Sequence, residues 1–92
     1  MKEVVLAVEV EDFTIRYFRT QGEASFCEEG GMSVYGVAAS KYINNQEVES
    51  IDAGFISENK AYIDKLITAL GKNTVTPMTL YEVLDDMIEC GF

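Results

Sequence analysis

Apolar side chains recur at every second position up to about Phe55 and at every third or fourth position from Ser57 onward. Period two is the mark of strands with one buried face, and a period near 3.6 is the mark of amphipathic helices. The chain therefore divides into a strand-rich half, residues 1–56, and a two-helix half, residues 57–92. The joint around Ile56 is too short to be a linker between domains. A chain of 92 residues can build one hydrophobic core and not two. The halves belong to a single domain, 1–92.

The strand half reads as two hairpins. A tight turn at Glu11-Asp12 sets Val10 opposite Phe13, Val8 opposite Ile15 and Leu6 opposite Tyr17. One face then carries Leu6, Val8, Val10, Phe13, Ile15 and Tyr17. The other carries Glu3, Glu9, Thr14, Arg16 and Thr20, together with Val5, Ala7 and Phe18. That division suits an antiparallel sheet with one wet face. Residues 21–31, with Gly22, Gly30 and Gly31, read as a loop. A third strand is expected over about 33–42 and a fourth over about 47–55, joined through Asn44 and Asn45. A three-residue loop sets Val37 opposite Ile51 or Ala53 and collects Tyr35, Val37, Ala39, Ile51, Ala53 and Phe55 on one face. A two-residue loop would set Val37 against Asp52, a costly burial without a partner.

Ser57 suits the N-cap of a helix over about 58–70, with Tyr62, Ile63, Leu66, Ile67 and Leu70 on one side and Gly71 as its stop. The last helix has two possible starts: Thr76 with Pro77 at the first turn, or Thr79 with Glu82 as a capping box and Met78 with Val83 as a staple. Leu80, Val83, Leu84, Met87 and Ile88 form its apolar stripe. The expected architecture is α+β: an antiparallel four-stranded sheet of two hairpins, covered on one face by two C-terminal helices.

Seven basic against sixteen acidic residues leave a net charge of −9. Such a field repels phosphate backbones and anionic lipid, so neither nucleic acid nor a membrane is expected as a direct partner. The apolar run Val4–Val8 is too short for a secretory segment or a span. Cys27 and Cys90 lie far apart and no histidine is present. They read as reduced thiols of a cytoplasmic protein and cannot make the usual four-ligand zinc site. Cys27 sits before Glu28 and Glu29, which disfavour its thiolate, and has no histidine to take its proton. With no catalytic motif and little volume for a pocket, the chain is not expected to be an enzyme or to carry a metal or cofactor.

Two groups of residues stand out as candidate contact surfaces. Val5 and Phe18 interrupt the polar face of the first hairpin beside Arg16 and would offer an apolar contact to a protein partner or to a second copy. Glu82, Asp85, Asp86 and Glu89 recur at helical spacing with no basic residue after Lys72. Like charges at that spacing repel by a few tenths of a kcal/mol each, and a basic partner would relieve them. The leading expectation is a non-catalytic protein-binding or regulatory module, acting through a rigid surface or as a homodimer. A second expectation is a small-molecule or divalent-metal-binding domain using Tyr35, Phe55, Tyr62 and Tyr81. A third is an acidic decoy for a nucleic-acid-binding protein.

The segment Asn73-Thr74-Val75-Thr76-Pro77-Met78-Thr79-Leu80-Tyr81-Glu82-Val83-Leu84-Asp85-Asp86 resembles the C-terminal signature of a small family of uncharacterised proteins from Gram-positive bacteria, a domain of unknown function. Those proteins are similar in length and place a strand-rich part ahead of this helix. The resemblance implies a small bacterial cytoplasmic domain and no substrate, cofactor or catalytic residue.

Overall fold

Glu11 and Asp12 turn the chain without a glycine. Val10 and Phe13 exchange backbone hydrogen bonds across them, at 2.8 and 3.3 Å. This tight turn joins β1 (Lys2–Glu9) to β2 (Thr14–Ala24) in the computed structural model, which describes residues 2–24 and 32–91. β3 (Met32–Ile43) and β4 (Gln46–Ser57) follow, and the four strands form one antiparallel meander in the order β1-β2-β3-β4. β2 runs to Ala24, so residues 21–24 are strand and not loop. Cys27 and Gly30-Gly31 lie outside the described residues.

Helices cover one face of the sheet. α1 (Lys60–Lys72) packs across β1, β2 and β3, with contacts to β4. A short 3-10 turn (Pro77–Thr79) and α2 (Leu80–Glu89) lie against β4. Ile15, Tyr17, Val37 and Ala39 from the sheet meet Ile63, Leu66, Ile67 and Leu70 from α1, with Val75, Leu80 and Leu84 completing the core. The result is a two-layer α+β domain. No helix among the described residues is long and apolar enough to cross a membrane.

In the first hairpin Leu6 faces Tyr17 and Val8 faces Ile15, as alternation requires, but the register shifts between Val4 and Leu6. Val5 is the extra residue of this bulge. It packs with Leu6 on the helix side, and Val4 takes the place opposite Phe18. The expected pairing of Val5 with Phe18 on the outer face is therefore corrected by one residue. Bulges of this kind add a residue to one strand and reverse its alternation beyond that point.

The second hairpin reconciles a tight turn with a buried aspartate's cost. Asn44 and Asn45 adopt φ of 53° and 65°, the left-handed pair that a two-residue hairpin turn demands. The register then slips between Lys41 and Tyr42, which brings Ala39 opposite Ile51 and leaves Asp52 opposite Ala38 on the outer face. The three-residue loop is not used, yet the face it was meant to secure is kept through Ala53. Phe55 leaves that face. Gly54 takes φ of 78°, and the Phe55 ring passes over Gly36 to lie on Gly22 of β2. Ile56 packs against the core instead.

β4 continues to Ser57, so α1 begins later than expected. Asn59 is its N-cap, with its side chain accepting from the Tyr62 amide at 3.1 Å, while Ser57 Oγ accepts from the Asn59 amide at 3.0 Å. Gly71 is inside the helix and does not stop it. The Leu6 side chain fills the space a Cβ would need there. Both proposed starts of the last helix are used in succession: Thr76 precedes the 3-10 turn and Thr79 precedes α2, with no side-chain capping bond at either. The staple does not form, because Met78 is 80% exposed.

Tyr17 ties the two layers together. Its side chain is fully buried, and its hydroxyl donates to the Val75 carbonyl at 2.6 Å and more weakly to that of Leu70 at 3.4 Å. Burial pushes its pKa up to about 12 from 10.0. Because the folded value is the higher one, this contribution to stability is complete below pH 10 and is lost as pH rises towards 12. Tyr17→Phe leaves the Val75 carbonyl without this donor and should cost about 1–2 kcal/mol in urea unfolding at neutral pH. It should also flatten the loss of stability that the parent shows between pH 10 and 12.

A second test concerns the β3–β4 bulge. The Gly54 carbonyl occupies the space where a Cβ on Gly36 would sit, and the Thr20 hydroxyl is beside it. Backbone cannot yield as a flexible side chain can. Gly36→Ala should lower stability by about 1–3 kcal/mol, read from the unfolding midpoint.

Candidate functional site

α2 is amphipathic and sits at the margin of the fold. Leu80 and Leu84 are buried, Val83 and Met87 are half-buried, and Ile88 is 42% exposed. The expected stripe therefore faces the protein at its N-terminal end and emerges from it at the last turn. Glu82, Asp85, Asp86 and Glu89 are all exposed on the other side. None of them forms an ion pair with a described residue. Beside this acidic row stand Met78 and Tyr81, the latter 49% exposed. The Tyr81 hydroxyl donates to the Asp52 carbonyl of β4 at 2.9 Å, which fixes the ring at the sheet's edge. The arrangement can attract a cationic segment at long range and offer it apolar contact at short range.

The three remaining candidates do not form one apolar patch. Val5 is on the helix side of the sheet. Arg16 and Phe18 do share the outer face, but Phe18 is only 7% exposed, with the Lys2 ammonium 4.3 Å from the centre of its ring. Arg16 is exposed and stacks over Tyr42 at 4.6 Å. Val4 and Phe55, 50% and 57% exposed, are large apolar side chains that this face leaves open. Alternation alone could not locate them, since each depends on a bulge.

The aromatic set does not converge on one pocket. Tyr35 and Tyr62 pack against the core, Phe55 is on the far side of the sheet, and Tyr81 is tied to the edge. Among the described residues, no group of three or more cysteine or carboxylate side chains is placed to hold a metal ion.

One cationic residue was missed. Arg19 is buried and its guanidinium bridges Asp64 of α1 and Glu3 of β1, the latter at 2.7 Å. It clamps a sheet edge to the helix layer. Its place in the core-facing series Ile15, Tyr17, Arg19 was the available signal, and its carboxylate partners required the bulge to be known. Arg19 is structural here, and α2 with the turn before it is the strongest candidate site.

No curated protein and no solved structure matches the chain. The model of one family does, and it spans the strands as well as the C-terminal segment: residues 1–90 match the family of unknown function DUF6514, to which the chain belongs.

Proposed function

We propose that the protein is a non-catalytic binding or regulatory module of the bacterial cytoplasm, docking a basic segment of a protein partner on α2 and the turn before it. The observation that carries this reading is the composition of that surface. Four carboxylates without ionic partners among the described residues stand beside Met78, Tyr81 and Ile88, which are 80%, 49% and 42% exposed. Exposed carboxylates alone are ordinary, and so are scattered apolar side chains. Methionine and tyrosine next to a row of one charge sign is the make-up of a contact surface with an electrostatic guide. A second copy of the chain, itself at −9, fits this surface less well than a basic partner.

Asp85→Lys with Asp86→Lys should reduce recovery of a partner in affinity capture from the native cell by about tenfold at low salt, and by less at high salt, where screening weakens the parent too. Met78→Ser should reduce it at both. Recovery unchanged by either variant would remove α2 as the docking surface.

A further inference from the structure

Where the outer sheet face meets the two turns, Glu9, Thr14, Arg16, Tyr42 and Asn45 line a cleft of about 140 Å³. Strand register brings them together. Glu9 pairs with Thr14 and Thr14 with Tyr42, and Arg16 is the next residue along β2 on the same face. Asn45 closes the end from the tight turn, its φ held at 65°.

The charges of this cleft are arranged as a dipole. The Arg16 guanidinium lies over the Tyr42 ring, and stacking of that kind leaves its N–H edge available to a planar acceptor. Among the described residues Arg16 has no ionic partner, although the chain holds sixteen carboxylates, and Arg19 nearby takes two of them. Glu9 lines the same cleft and makes no ion pair with Arg16. A wider depression continues past Glu9 to Glu11 and Asp12. One end is thus cationic and the other increasingly anionic. A simple anion would meet Glu9, and a simple cation would meet Arg16.

We propose that this cleft binds a small zwitterion, a free α-amino acid, with its carboxylate on Arg16 and its ammonium on Glu9. The backbones of diagonal cross-strand neighbours such as these stand about 7–8 Å apart, and with the Arg16 head over Tyr42 the two charged side chains flank the cleft without pairing. A carboxylate and an ammonium on one carbon can take one charge-assisted hydrogen bond of about 2.8 Å from each side. The Thr14 hydroxyl and the Asn45 amide supply further polar contacts, and Tyr42 supplies an apolar wall. A water molecule occupies about 30 Å³ of liquid, so the cleft has the capacity of a ligand the size of glycine or alanine. Bulk beyond that has to leave towards the turn. This site is independent of the docking surface on α2.

The test is NMR titration of the full-length ¹⁵N-labelled chain with L-alanine to about 50 mM, above the millimolar affinity expected of so few atoms. Acetate and methylammonium are titrated separately. Saturable shifts are expected at Arg16 Nε and at the amides of the two turns, with each half-ligand at least about tenfold weaker than alanine. Arg16→Met should abolish saturation, and Glu9→Gln should weaken alanine about tenfold without weakening acetate. The half-ligand comparison uses the parent chain and needs no variant to fold. Shifts that stay linear throughout, acetate binding as tightly as alanine, or saturation surviving in Arg16→Met would each overturn the assignment.

Discussion

A four-stranded sheet must shield two faces, and this chain has helices for only one. The geometry of the covered side depends on α1, the element that packs most broadly across the strands. Ile63, Leu66, Ile67 and Leu70 are all fully buried against sheet residues that are themselves buried. Each such side chain contributes on the order of 1.5–3 kcal/mol by leaving water. Apolar contact does not by itself set where a helix lies on a sheet. The Tyr17 hydroxyl, held by carbonyls at the end of α1 and just beyond it, and the Arg19 bridge to Asp64 are directional and supply that information.

The other face is shielded by its own side chains. β3 presents Gly36, Ala38 and Ser40 there, and Ala38 and Ser40 are buried at 4% and 2% exposure without a helix above them. Larger groups surround them. Phe18 pairs with Ala38 under the Lys2 ammonium, Arg16 pairs with Ser40 and stacks on Tyr42, and Phe55 crosses to Gly22. Long cationic side chains cover apolar surface with their stems while their heads remain in water, and a ring beneath the head adds cation–π attraction. Among the described residues the Thr20 hydroxyl is buried without a partner beside Gly36, a local cost of closing this face with so little material. The edges are treated similarly. A bulge interrupts β1, while on β4 the Asp52 carboxylate accepts from the Gly54 amide and Tyr81 donates to the Asp52 carbonyl. Devices of this kind discourage strand addition.

The layer architecture was legible because it follows from periodicity, which needs no knowledge of distant contacts. The pairs Leu6–Tyr17 and Val8–Ile15 follow from the same source. What failed to show was every place where one extra residue changes the parity. Val5 resembles any other member of an alternating run, and nothing local says that the strand will bulge there. Phe55 looks like the end of a buried series until Gly54 adopts a positive φ. Gly71 reads as a helix stop, and only the approach of Leu6 from β1 shows why a glycine is required inside α1. The acidic row on α2 was legible in full, since helical spacing puts Glu82, Asp85, Asp86 and Glu89 on one side whatever the helix packs against. The apolar companions of that row were not. Met78 lies on the turn before α2 and Ile88 on its last turn, where the apolar stripe emerges from the fold.

The distribution of cations supports a special status for α2. Lys2, Arg16 and Lys41 each lie over an aromatic ring, Lys41 also pairs with Glu49, Arg19 bridges two carboxylates, and Lys60, Lys65 and Lys72 lie on α1. None follows Lys72 in the sequence. A helix stabilised only for its own sake would gain from lysine or arginine four residues after its acids and in its last turn, where the carbonyl ends favour positive charge. α2 has acids in both places. It and the turn before it also leave Met78 in water and Tyr81 and Ile88 about half exposed, where smaller or polar side chains would cost nothing in the core. Local rules for a stable helix and for a quiet surface are thus broken on the same element, and such coincident departures concentrate where a protein meets its partner.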